Sequence, residues 1–235
     1  MARLARLYAP QTCQLVQVRL LPQTAVHMED LNPLLLQWLK QAVSRYQLAI
    51  HAWSLTEQDI LILATPAHER AVSQVIQALG RNIAAHLHQG AVFKGRYRSC
   101  LVQNGEHVLA SMIWLESYVH QQQGVEHPEW LPWSSAGGHT GVQFQDLGWL
   151  RDHAAYWYLG NTPFERQARY RELCQEGLSA TMLERVQAAL QGQWVLGDAA
   201  FIEALATVAN RRVAPSLRGR PKKVREVTAA PTPTS

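Results

Sequence analysis

Residues 49–64 read AIHAWSLTEQDILILA, and this stretch decides the fold. Two β-like runs, Ala49–Leu55 and Asp59–Ala64, flank the short polar link Thr56-Glu57-Gln58, which predicts a hairpin. Pro66 closes the second run, since proline has no N–H to give to a ladder. Working backward, Cys13–Leu21 (CQLVQVRLL) alternates apolar and polar residues and reads as a strand ended by Pro22. Asn32 as a cap, with Pro33 at the first helical position, predicts a helix to about Tyr46. Working forward, Val72, Val75, Ile76, Leu79 and Ile83 recur at helical spacing within His68–His88. Val92–Val102 (VFKGRYRSCLV) reads as a further strand with a cationic face, and Asn104 starts a helix to about Gln121. The order is β-α-β-β-α-β followed by a helix. That is an α+β chain with a split βαβ arrangement on an antiparallel sheet.

Beyond this unit the pattern turns helical, over Leu147–Leu159, Pro163–Glu176, Thr181–Leu190 and Asp198–Ala209. Leu217–Ser235 is rich in Pro, Lys and Arg and reads as a disordered basic tail. The expected organisation is therefore a main unit at 1–135, a helical extension at 136–216 and the tail at 217–235. A chain of 235 residues that is 47% hydrophobic and 17% charged has the composition of a soluble globular protein. Cys13, Cys100 and Cys174 are far apart and form no CxxC pair, which suggests neither a zinc site nor a disulfide framework and fits a reducing cytoplasm. No apolar run reaches the roughly 18 residues of a membrane span, and none follows the basic N-terminus as in a signal peptide. The net charge of +4 is unevenly placed. From Arg211 onward there are seven basic residues and one acid, leaving 15 basic against 17 acidic residues in 1–210. Any phosphate contact by the body must therefore come from local patches.

Several strings, in this order, resemble the REP-associated tyrosine transposases. Gly90–Ser99 (GAVFKGRYRS) is close to the family's GHVFQGRYKS, and Trp130–Ser135 (WLPWSS) contains its PWSS. Met1–Leu7 (MARLARL), Leu159–Leu190, Trp194–Arg212 and Arg218–Lys223 (RGRPKK) resemble its opening, its C-terminal helices and its basic end. The resemblance implies a ferredoxin-like split βαβ fold and a metal-dependent DNA nickase. In such an enzyme a helix-borne tyrosine attacks a phosphodiester. Two histidines at i and i+2 of a strand, with a polar residue one turn past the tyrosine, hold Mg²⁺ or Mn²⁺. Carried over position by position, the histidines fall on Asp59 and Leu61. The tyrosine falls on Trp114 and the polar ligand on Tyr118. Leucine binds no cation and tryptophan has no nucleophilic oxygen, so the resemblance implies a family member without retained metal ligands and with nicking lost.

Other residues invite a functional reading and carry a plainer one. His86-Leu87-His88 spells the family's histidine motif, but on a helix the two rings point about 200° apart. Tyr118 lies one turn past Trp114 and reads as a partly buried aromatic, Glu116 as a surface carboxylate and Trp133 as core. Lys94, Arg96 and Arg98 alternate along the expected strand and are candidate phosphate contacts. Arg218, Arg220, Lys222 and Lys223 surround a Gly-Arg-Pro sequence similar to an AT-hook. The expected partner is single-stranded or hairpin DNA, in a bacterial cytoplasm beside the nucleoid, with no membrane contact. Two other readings stay open: an active transposase with a rearranged site using Tyr118 and Asp59 or Glu57, and a remnant or interaction protein with no DNA role.

Overall fold

The computed structural model describes residues 5–143 and 148–215. Strand β1 (Cys13–Arg19) leads through a short helix α1 (Pro22–Ala25) into α2 (Met28–Tyr46). The hairpin follows as β2 (Leu48–Leu55) and β3 (Asp59–Pro66), then α3 (Ala71–Leu87) and β4 (Arg98–Val102). Among the described residues the sheet has the order β2-β3-β1-β4-β5. Its first four strands pair antiparallel, as a split βαβ unit requires.

Both faces of the sheet are covered. Val16, Val18, Ile60 and Ile62 point to the first face and pack with Leu31, Leu35 and Leu39 of α2 and Val75 and Leu79 of α3. Leu15, Leu61 and Leu63 point to the second face. There they meet Val108, Met112 and Leu115 of the following helix and Val186 and Leu190 of the C-terminal region. Burying one such leucine is worth about 1.5–3 kcal/mol. That double cover explains why the hairpin strands read as near-continuous apolar runs.

The second layer begins with one continuous helix in three parts. These are α4 (Glu106–Ile113), a π-turn (Trp114–Tyr118) and α5 (Val119–Gln121). The Val119 N–H bonds to the Trp114 carbonyl five residues back, which marks the π spacing. After a 3₁₀ turn at Pro128–Trp130 come α6 (Ala136–Thr140), α7 (Ala154–Trp157), α8 (Pro163–Glu176) and α9 (Ala180–Gly192). A short β5 (Val195–Leu196) then joins the sheet parallel to β4, and α10 (Ala199–Val208) ends the described elements.

Four expectations change. Helix α2 starts at Met28 and keeps Pro33 within it, because Met28 and Leu31 extend its buried stripe and a proline there removes only one backbone bond. The strand expected over Val92–Val102 begins at Arg98. Phe93 makes a single bridge to Leu20, and Gly95 (φ +83°) turns the chain. Of the helix expected over Leu147–Leu159, only Ala154–Trp157 is helical; Leu147 lies outside the described residues. Leu150 instead bridges Ile50 alongside β2, with the Arg151 N–H bonded to the Ile50 carbonyl. Strand β5 falls where a helical region was expected. The basic tail, with Arg218, Arg220, Lys222 and Lys223, lies outside the described residues. Among the described residues no helix is long and apolar enough to cross a membrane.

Candidate functional site

The positions on which the sequence resemblance places nicking chemistry sit on the second face of the sheet. Asp59 opens β3 directly across from Arg19 of β1, and its carboxylate accepts from the Arg19 guanidinium at 3.3 Å. Leu61 is fully buried and shares one apolar cluster with Trp114 and Leu115. Tyr118 packs partly buried against that cluster. Leu61 supplies no donor atom and Asp59 is already paired with Arg19, so these residues do not fit the divalent cation of a nickase. Across the ladder from Leu61, the Ser54 hydroxyl bonds to Nε2 of His120 in α5. Burial lowers the His120 pKa to about 4 against the opposing pull of Glu116, so the ring is neutral.

Glu116 is not a surface carboxylate. The π-turn buries four consecutive residues, Trp114 through Ser117, and turns Glu116 away from solvent entirely. Its Oε1 accepts from the Ser135 hydroxyl of the PWSS string and from Nδ1 of His139 at 2.7 Å; its Oε2 accepts from the Tyr170 hydroxyl at 2.5 Å. The Ser135 hydroxyl in turn accepts the Trp53 N–H of β2, and the Ser135 N–H donates to the Trp53 carbonyl at 3.0 Å. One carboxylate thereby ties the π-turn to β2, α6 and α8. The other ring nitrogen of His139 faces Asp152 at 3.6 Å. Burial alone would lower the His139 pKa, but Glu116 and Asp152 outweigh it and raise it to about 9.

Because its folded pKa lies above the unfolded value near 6.5, His139 stabilises the fold fully below pH 6.5. That contribution fades as pH rises through 9. Neighbouring His51, His120 and His153 are held low by burial, so their effect is complete before that window opens. Urea unfolding should show stability falling between pH 6.5 and 8.5 by up to about 1.4 kcal/mol per pH unit. A flat profile there would mean that the ring is not charged in the fold.

A second arrangement lies on the first face, between α3 and the segment leading to β4. Arg6, Arg81 and Arg96 line a groove of about 600 Å³ together with Phe93 and Tyr97. The Arg6 guanidinium lies 3.6 Å over the centre of the Tyr97 ring, whose hydroxyl hydrogen-bonds Ser73. Burial holds the Arg6 pKa below its ordinary value, and nearby Arg96 lowers it further. An anion in the groove would relieve that repulsion. Gly80 forms the floor, where an added Cβ would stand 2.8 Å from the Phe93 ring.

The three cations expected on one strand face do not stay together. Lys94 borders a different cavity, beside Arg19, Glu29 and Glu57, while Arg96 faces the groove and Arg98 is exposed at the start of β4. The turn at Gly95 separates them. Arg6 and Arg81 were missed as partners of Arg96, since their convergence depends on tertiary packing. His86 lies in the last turn of α3 and His88 is its left-handed cap, so the HLH string straddles the end of a helix, as expected, and lies on no strand. Trp133 is partly buried and packs against the first core.

No protein-family model and no curated protein matches this chain. A solved structure of a REP-associated tyrosine transposase bound to a REP hairpin does match. The TM-score is 0.53 at 12% identity, over 65% of this chain and 93% of that one. The fold is REP-associated tyrosine transposase-like. A candidate transposase of Deinococcus radiodurans also aligns, at TM-score 0.36 and 18% identity, over 54% of this chain and 98% of its own. In this fold Leu61 and Trp114 lie in an apolar cluster, Asp59 pairs with Arg19, and Ser135, His139 and Tyr170 gather around Glu116.

Proposed function

We propose that this chain is a transposase-fold DNA-binding protein that holds single-stranded or hairpin DNA without cutting it. The observation that carries the reading is the apolar cluster of Leu61 and Trp114, where a nickase needs a metal ligand and a nucleophile. Arg6, Arg81 and Arg96 supply phosphate contacts. Phe93 and Tyr97 supply flat faces beside them, the combination that single strands favour. The hairpin in the matching solved structure supports the same class of ligand. Lys94 and Arg98 extend the basic surface around the groove, and Arg218, Arg220, Lys222 and Lys223 add a second contact from the tail. Such a protein belongs beside the bacterial nucleoid.

The test is a labelled single-stranded hairpin with and without Mg²⁺ or Mn²⁺, scored for binding and cleavage together. Salt-sensitive binding is expected, with neither cleavage nor a covalent protein–DNA adduct. Replacing Arg6, Arg81 and Arg96 by alanine should weaken binding. Each lost phosphate contact should flatten the slope of log affinity against log salt by about 0.7–0.9. An adduct that disappears in Tyr118→Phe would establish the rearranged enzyme instead. If low-salt binding were absent in the intact chain, the reading without DNA would stand.

A further inference from the structure

Three side chains suited to a transition metal converge on the second face from distant parts of the sequence. Cys13 opens β1, His51 lies in β2 and His153 caps α7. All three are buried, and one donor atom from each lies within 4.8 Å of the other two. His51 occupies a bulge: the β2–β3 register shifts between Ile50 and Ala52, leaving His51 as the extra residue. Bulges re-aim side chains, and this one sets His51 beside Cys13 and Thr65 rather than toward the first core.

The protons on the rings are settled by their partners. His51 Nδ1 is 2.6 Å from the Arg151 carbonyl, so that nitrogen donates and Nε2 keeps its lone pair. Imidazoles that bind metals are commonly oriented in this way, with the far nitrogen donating to a carbonyl. Nε2 faces the Thr65 hydroxyl at 2.8 Å, and Thr65 also hydrogen-bonds the Cys13 thiol. A single rotatable hydroxyl thus bridges the thiol and the imidazole.

We propose that Cys13, His51 and His153 bind one zinc-class divalent ion that ties β1 and β2 to the C-terminal layer. Sulfur and imidazole donors select zinc or cobalt over magnesium, whose preference is for oxygen. The absence of a CxxC pair argued against zinc at the level of sequence, but the fold assembles the ligands from positions 13, 51 and 153. Zinc bonds of about 2.0–2.3 Å place tetrahedral donors about 3.5 Å apart, so the set closes by roughly 1 Å on loading. His153 stands at the N-terminal cap of α7, outside the strands that hold the other two ligands. Its Nδ1 accepts the Ala155 N–H at 3.0 Å. Loading at Nε2 therefore shifts the His153 proton to Nδ1, releases the Ala155 N–H and frees the Cys13 proton to solvent. The thiolate and Asp152, whose charge already acts on His51, balance the two positive charges of the ion.

The experiment uses the full, untagged chain, equilibrated with Zn²⁺ or Co²⁺ and then dialysed. One equivalent of metal per chain is expected, with intense visible bands and a near-ultraviolet thiolate-to-cobalt absorption. Cys13→Ser should abolish that absorption, whereas Cys100→Ser and Cys174→Ser should keep it. Zinc should raise Tm by several degrees in the wild type and leave Cys13→Ser unchanged. Hydrogen exchange at Ala155 should speed up on loading, a readout that does not depend on any variant folding. Dialysed wild type without bound metal, or a cobalt–thiolate band that survives Cys13→Ser, would overturn the proposal.

Discussion

Glu116→Ala should lower the stability of the fold by about 3–5 kcal/mol, the usual cost of removing one member of a buried charged network. The alanine leaves the hydroxyls of Ser135 and Tyr170 and the charged ring of His139 without their common acceptor, and none of the three is reached by water. Glu116→Gln keeps the volume and one acceptor, so its loss should be smaller. It should also remove the fall in stability between pH 6.5 and 8.5, because the His139 ring loses its strongest partner. Urea unfolding of the wild type and the two variants at pH 6.5 and at pH 8.5 checks both statements. Equal losses would show that the negative charge alone matters, and that neither the retained volume nor the retained acceptor contributes.

The second large effect tests the proposed absence of nicking. Leu61→His combined with Trp114→Tyr restores the residue types of the family motif at those two positions. It should destabilise the protein by about 3–4 kcal/mol, since it places an imidazole without a partner in an apolar cluster and leaves a void beside it. It should produce no cleavage of a single-stranded hairpin with Mn²⁺. Asp59 stays engaged with Arg19, and the Ser54 hydroxyl across the ladder from position 61 is already bonded to His120. Thermal unfolding and a gel for the covalent adduct check the two halves separately. A stable double variant that nicks DNA would mean that the centre is only two substitutions from function.

The hairpin at 48–66 was legible because its signal is local: apolar runs and a polar link lie within one window of sequence. The same holds for α3, where a stripe at helical spacing faces one core, and for the split βαβ order that follows. Strand β5 was not legible. Two residues, Val195 and Leu196, are too few for any period, and their pairing with Leu101 and Val102 is made across about 94 residues. Glu116 was misread because α-helical spacing turns position 116 outward, while the π-turn adds a residue and turns it in. Its partners lie 19, 23 and 54 residues further on, where no pattern in the π-turn itself can signal them. The groove shows a similar limit. Arg96 stood out within a basic string, but Arg6 and Arg81 come from the N-terminal segment and α3, and only packing brings them together.

Asn210 connects these distant parts in one further way. Its side chain bonds the Arg6 carbonyl, the Tyr8 N–H and Glu69, and the Val195 N–H bonds the Val213 carbonyl behind it. The segment that carries Arg6 to the groove is thus held by residues made some 200 positions later. During translation the sheet and α3 emerge first, while Arg6 waits on an unanchored strand of nascent chain. The groove is completed only when codon 210 has been read and its residue has left the ribosome. A message cut short before that codon yields a chain with the sheet but without the Asn210 anchor of Arg6, so the complete groove is reserved for chains that extend past residue 210.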